Sequence, residues 1–221
     1  MTINIFVSVG RTSTPEQEKF VSAIEQYLRD NGFEPRIVGR TAFSSLQPLK
    51  FIEQLMHECS GTIVIAFERI YIQEGIEKRG GEAEKVFRDI KLSTVWNQIE
   101  AAMAYVLGHP LLVIVENGIR NEGLLETGYD WYMQWVKLDA STLSTREFGG
   151  IFGDWKRRVE NFQKTGMKKS QGIELERLTI SQILGSLKPA QLWTIIITLV
   201  SAISAIATVA FKLGSILAGK P

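Results

Sequence analysis

The chain has 221 residues, with 25 Lys and Arg against 24 Asp and Glu, a net charge of +1 and 45% hydrophobic residues. A balance so close to neutral, with no basic block carrying interleaved aromatics, argues against nucleic acid as a partner. The lone Cys59 rules out an intrachain disulfide and fits a reduced, cytosolic setting.

The opening MTINIFVSVG has no basic region and no long apolar stretch, so it does not read as a secretory signal. Ile3 to Val9 reads instead as a strand buried on both faces. Thr14 follows as an N-cap, with Pro15 at the first helical position and Gln17 placed to close a capping box. Phe20, Val21, Ile24 and Leu28 then recur on one helical face, and Gly32 ends that helix. Arg36 to Val38 reads as a second strand. Residues 48 to 58 read as a second helix with Leu49, Ile52, Leu55 and Met56 inward, and Thr62 to Phe67 as a third strand. Thr94 to Leu107 and Leu111 to Val115 supply a third helix and a fourth strand. This alternation predicts an α/β fold, a flavodoxin-like or Rossmann-like sandwich around a parallel sheet, because parallel strands need crossover connections.

Ligands of open α/β sheets sit beyond the carboxyl ends of the strands. The first strand runs into Ser8, Gly10 and Arg11 ahead of a helix N-terminus, a natural anion site. Arg40 follows the second strand, and Phe67 and Arg69 follow the third. Converging guanidinium groups would suit phosphate oxygens. Surface arginines and a turn glycine are the plainer account of the same residues.

Residues 68 to 92 are charged and contain Gly75, Gly80 and Gly81. A connection of that length reads either as a lid hinged on its glycines or as a surface insertion with a short helix from Glu82 to Asp89. Next comes Glu100, the catalytic candidate. It lies four residues after Trp96 and close to Asn97, so a carboxylate could sit beneath an aromatic at the sheet rim. A carboxylate there suits nucleophilic attack at a sugar C1 or stabilisation of an oxocarbenium-like centre. A solvated Glu100 beside a core Trp96 satisfies the same spacing.

The aromatic run from Tyr129 to Trp135 precedes a last strand at Gln134 to Leu138. Such rings stack on a purine or seal a subunit contact. Residues 153 to 164, with Trp155, Val159 and Phe162, read as a closing amphipathic helix, and Lys164 to Ser170 as a basic linker able to touch anionic lipid. His57 and His109 have no neighbours at metal-ligand spacing, so no metal is expected.

Residues 189 to 211, PAQLWTIIITLVSAISAIATVAF, contain no charge over 23 positions, with Trp193 near one end and Lys188 and Lys212 outside. About 20 such residues cross a bilayer, so this run predicts a single C-terminal transmembrane helix. Thr194, Thr198, Ser201, Ala205 and Thr208 form a stripe of small and hydroxyl residues within it, which suggests a homo-oligomer. The predicted organisation is an α/β domain over 1–165, a linker over 166–188, the span over 189–212 and a tail over 213–221. The protein would be membrane-bound and single-pass, with its N-terminal domain cytoplasmic.

Glu100, followed eight residues later by Gly108, His109 and Pro110, resembles the helix and turn of nucleoside 2-deoxyribosyltransferase-like proteins, where a catalytic glutamate precedes an A-x-A-x-G-K-P type turn. The same region is similar to TIR and TIR-like domains, whose third helix carries a tryptophan and a glutamate that serves NAD cleavage. Their glutamate lies three residues after the tryptophan; here the interval is four. The likeness spans residues 3 to 138 and includes IFVSVG, CSGTIVIAF and WNQIEAAMAYVLGHPLLVIVENG. It implies a nucleotide-type or NAD-derived ligand, no tightly held cofactor, and Glu100 as the working carboxylate. Together with the membrane run it resembles bacterial antiviral effectors, which implies that ligand-driven assembly clusters the membrane helices and perturbs the bilayer. The alternative it implies is a membrane-tethered NAD glycohydrolase or nucleoside deoxyribosyltransferase.

Overall fold

Short runs of β-branched and aliphatic residues, apolar on both faces, build the centre of the fold. A computed structural model of the chain describes residues 2–126, 128 and 131–170. Five strands form one parallel sheet: β1 (Ile3–Val9), β2 (Phe33–Arg36), β3 (Thr62–Ala66) and, leaving two numbers for a separate hairpin, β6 (Leu111–Glu116) and β7 (Tyr132–Val136). Their order is β2-β1-β3-β6-β7, all neighbours parallel. That is the flavodoxin-like order, with its topological switch between β1 and β3. The expected α/β class and parallel sheet are therefore present. Strand β3 is buried at every position, as its Thr-Ile-Val-Ile-Ala sequence requires of a strand covered on both faces.

Helices α1 (Pro15–Asp30) and α4 (Arg146–Ser170) cover one face of the sheet; α2 (Pro48–His57) and α3 (Val95–Val106) cover the other. Thr14 caps α1 by accepting the Gln17 amide at 3.2 Å. Phe20, Val21, Ile24 and Leu28 are each at most 2% exposed, and burying such side chains is worth about 1.5 to 3 kcal/mol apiece. In α4 the residues Phe148, Phe152, Trp155 and Val159 repeat at 4, 3 and 4 and are likewise buried. Trp155 anchors the helix twice, by packing on Phe33 and by donating Nε1–H to the Pro110 carbonyl at 3.0 Å. Gly61 sits directly beneath α4. A Cβ there would lie 2.6 Å from Val159 Cγ2, so the close approach needs glycine.

Several boundaries and faces differ from the sequence expectation. The second strand is Phe33–Arg36, two to three residues earlier than expected, because Phe33 and Pro35 supply the buried positions while Val38 is 38% exposed. Leu49, expected inward, is 51% exposed; α2 buries only Ile52, Leu55 and Met56, so its apolar face is narrower than the pattern suggested. The last strand is Tyr132–Val136 rather than 134 to 138. Helix α4 begins at Arg146 and runs through Ser170, so residues 164–170 continue a helix instead of forming a linker.

The charged connection after β3 is an antiparallel hairpin, β4 (Ile70–Glu77) and β5 (Lys85–Leu92), which corrects the helix expected at 82 to 89. Gly75 is no hinge. It pairs with Phe87, whose ring occupies the space a Cβ would need, while the strands turn through Gly80 at φ +78°. Arg120 pins the hairpin from outside: it pairs with Glu77 at 2.8 Å and lies 5.4 Å over the Phe87 ring.

Among the described residues no helix is long and apolar enough to cross a membrane. The run from 189 to 211, its small-residue stripe, the proposed linker beyond 170 and the tail all lie outside the described residues, as does Tyr129.

Candidate functional site

Alternation along β1 decides what stands at the switch point. Val7 and Val9 point into the α1 and α4 core, whereas Phe6 and Ser8 face the α2 and α3 side. Ser8 therefore brings a hydroxyl, 1% exposed, beneath the first turns of α3. Asn97 Nδ2 donates to Ser8 Oγ at 2.9 Å and to the Ser8 carbonyl at 3.3 Å. Ser8 also hydrogen-bonds the Glu100 carboxyl. Glu100 is 7% exposed, and burial pushes its carboxyl up to about 7, with the Ser8 hydrogen bond pulling the other way. Three polar side chains from two elements thus meet where the strand order reverses.

The walls of this cluster are close-packed. Thr94 caps α3 by accepting the Trp96 amide at 3.4 Å, and a Cβ at Gly10 would stand 3.3 Å from Thr94 Cγ2 and 3.9 Å from the Phe67 ring. Gln17 fastens the neighbouring loop. Its Oε1 accepts from the Ser13 amide at 2.8 Å, one residue earlier than a capping box would place it, and its Nε2 donates to the Glu68 carbonyl at 3.0 Å. The Glu68 amide in turn donates to Glu116 Oε2 at 2.7 Å, and Lys91 pairs with Glu68 at 2.8 Å.

Of the residues singled out from the sequence, Ser8, Asn97 and Glu100 come together, with Gly10 at their edge. Trp96, one turn before Glu100 on α3, is 43% exposed while Glu100 is buried. Phe67 is a core residue at 3% exposure. Arg11 and Arg40 lie on the other face of β1, around a cleft of about 470 Å³ that Gly10, Thr12, Ile37 and Gly39 also line. Arg40 is committed within that cleft. Its Nη2 and Nη1 reach the two Glu18 oxygens at 2.6 and 3.0 Å, and its Nε donates to Glu25. The Arg40 hydrogen bond holds the Glu18 carboxyl down at about 2. Arg69 is exposed, and its amide is tied to the Leu92 carbonyl at 2.8 Å.

The role of Ser8 as the partner of Glu100 is not readable from spacing, because 92 residues separate them. A serine at an inward position of a strand whose only other polar residue is Asn4 is the available signal. At the opposite end of the sheet, His109 Nδ1 lies 2.9 Å from Thr62 Oγ1, and burial followed by His57 lowers it to about 4, which keeps the ring neutral. Among the described residues no group of three or more His, Cys, Asp or Glu side chains could hold a metal ion.

Fold and site define an α/β domain of flavodoxin-like strand order with a buried carboxyl at its switch point. No protein-family model matches the chain, and no curated protein matches it. Among solved structures it is similar to a CMP N-glycosidase from Clostridium botulinum, at 15% identity over 62% of this chain and 91% of that chain, TM-score 0.39. It is also similar to the flavodiiron core of Flv1 from Synechocystis, at 12% identity over 72% of this chain and 36% of that chain, TM-score 0.41.

Proposed function

We propose that the α/β domain takes a nucleotide-type ligand at the β1/β3 switch point and that Glu100 acts on its N-glycosidic bond, with residues 189 to 211 tethering the protein to a membrane. The buried Glu100 carboxyl, hydrogen-bonded to Ser8 beside Asn97, carries this reading. Titrating near 7, it is available as a carboxylate at neutral pH. In the proposed step the carboxylate attacks the anomeric carbon and the glycosidic bond breaks, its electron pair leaving with the base. Water or an acceptor hydroxyl then resolves the glycosyl ester. Since Glu100 is only 7% exposed, this reading requires the wall over it to open for a ligand.

A second reading rests on a different observation, the 23-residue uncharged run. In it the domain senses a nucleotide-type ligand without turning it over, and assembly clusters the membrane helices as an antiviral effector. Purified full-length protein in detergent, offered NAD and a panel of nucleosides and nucleotides, separates the two. Consumption that Glu100→Gln abolishes supports the glycosidic reading. No turnover, with one nucleotide raising Tm or oligomer size equally in both proteins, overturns it in favour of the effector.

A further inference from the structure

The β4–β5 hairpin turns its more apolar face away from the domain. Directly opposed residues of an antiparallel pair share a face, and on one face Gly75 lies with Phe87 and Glu77 with Lys85. That face meets the domain, where Arg120 pairs with Glu77 and covers Phe87. The other face carries Ile70 with Leu92, Ile72 with Ile90 and Ile76 with Val86. A two-stranded hairpin needs a packed apolar face for stability, yet here Ile70 is 52% exposed, Ile76 50% and Val86 55%. Among these apolar pairs stands one charged pair, Glu74 opposite Arg88. Arg88 Nε donates to Glu74 Oε2 at 2.8 Å, and among the described residues nothing else bonds Glu74 Oε1 or the two Arg88 Nη groups.

The charged pair selects the occupant. Lipid or an uncharged segment would take water from Glu74 and Arg88 and return no hydrogen bonds to the groups left over. The continuation of the same chain also starts elsewhere: α4 carries Val159 to Gly61 and Phe162 to His109, at the amino ends of β3 and β6, whereas the hairpin springs from the carboxyl end of β3. A second copy supplies what is missing. Turned about a two-fold axis that runs along the hairpin midway between its strands, a second hairpin lays its β4 on this β5. Glu74 of each copy then faces Arg88 of the other, Ile72 faces Ile90 and Ile76 faces Val86, the self-complementarity an isologous contact requires. An axis across the strands at the charged pair would instead set carboxylate on carboxylate. The exposed parts of the side chains on this face come to roughly 600 Å², so two copies bury about 1,200 Å², above the roughly 1,000 Å² a specific contact needs.

We propose that the β4–β5 hairpins of two copies pack face to face about this axis, joined at the centre by two reciprocal Glu74–Arg88 pairs. Sheets packed this way keep their strands within about 30° of each other at a separation of about 10 Å, which facing Ile and Val side chains fill. Strands β4 and β5 form a sheet of their own, so the contact joins two copies through an element outside the five-stranded sheet that carries Ser8.

The test uses the full-length chain in detergent and reads association by sedimentation. Glu74→Arg and Arg88→Glu should each weaken association at least tenfold when alone. Mixing the two proteins should restore it, although neither chain then has its own pair intact, and Tm equal to the parent's in both variants separates loss of association from loss of fold. A second measurement leaves the charges in place. With Cys59→Ser as background, mild oxidation of an equal mixture of Ile76→Cys and Val86→Cys should give covalent dimers at least tenfold more efficiently than Lys50→Cys, an exposed site on α2. Association that survives Glu74→Arg, a mixture that does not recover, or cross-linking no better than at Lys50→Cys would each overturn the proposal. Dimers held only through residues 189 to 211 would show the first and the third of these.

Discussion

Asn97 and Ser8, 89 residues apart in the chain, are joined by a 2.9 Å hydrogen bond that fixes the first turn of α3 over the end of β1. The same Ser8 hydroxyl bonds Glu100, so it links two side chains of one helix to the strand. Ser8→Ala should leave Asn97 with a buried amide short of one partner, at a cost of about 1 to 3 kcal/mol. It should also move Glu100 further up, because the Ser8 bond is what lowers it. Carboxyl titration followed by carbon NMR reads that shift directly, and a downward movement would contradict the assignment.

Glu100 also makes stability depend on pH. Its folded value of about 7 lies above the ordinary carboxyl value of 4.5. Between those values the folded chain binds more protons than the unfolded chain, so stability declines as pH rises through that window. Glu100→Gln removes the decline. At pH 8 the variant should be more stable than the parent by about 1 to 3 kcal/mol, and at pH 4 the difference should vanish. Urea unfolding at the two pH values measures both terms.

Much of the fold follows from local pattern, and the departures share a cause. The buried face of α1 is legible because Phe20, Val21, Ile24 and Leu28 obey the helical period next to a capping threonine. The hairpin is not legible. Ile70 to Glu77 shows no clean apolar alternation, and its support comes from across the hairpin, where Phe87 covers Gly75 and Arg88 pairs with Glu74 at 2.8 Å. Helix α3 misleads in another way. Periodicity places Asn97 and Glu100 on one face but does not say which face is turned inward, and the inward one is the polar one because Ser8 waits there. The start of α4 is obscured by Gly149 and Gly150, which weaken a helix that Phe148 and Phe152 nonetheless anchor.

The contact between Gly61 and Val159 predicts a specific pair of outcomes. Gly61→Ala puts a methyl 2.6 Å from Val159 Cγ2, and with Trp155 at 3.4 Å the ring behind it has no room to yield. Overpacking of that kind costs about 1 to 3 kcal/mol. Val159→Ala alone leaves a cavity and also destabilises. Combined, each change supplies the space the other needs, so the double variant should be more stable than the sum of the two losses predicts. A coupling energy near zero in denaturant unfolding would mean that α4 shifts as a body instead.

His109 supplies the opposite pH dependence to Glu100, from the other end of α3. Held at about 4 against the ordinary imidazole value of 6.5, its neutral ring means that the unfolded chain binds the extra proton between those values. Stability from this group is complete above 6.5 and is lost as pH falls toward 4, by up to about 3 kcal/mol. From 4.5 to 6.5 the two groups therefore oppose each other, and the contribution of the pair should be nearly flat. Glu100→Gln should unmask stability that rises with pH. His109→Asn, which keeps a polar atom near Thr62 Oγ1, should unmask stability that falls with pH. Unfolding free energies at pH 4.5, 5.5 and 6.5 for the parent and both variants would show two slopes of opposite sign. Two slopes of the same sign would mean that one of these groups is not buried in the form described.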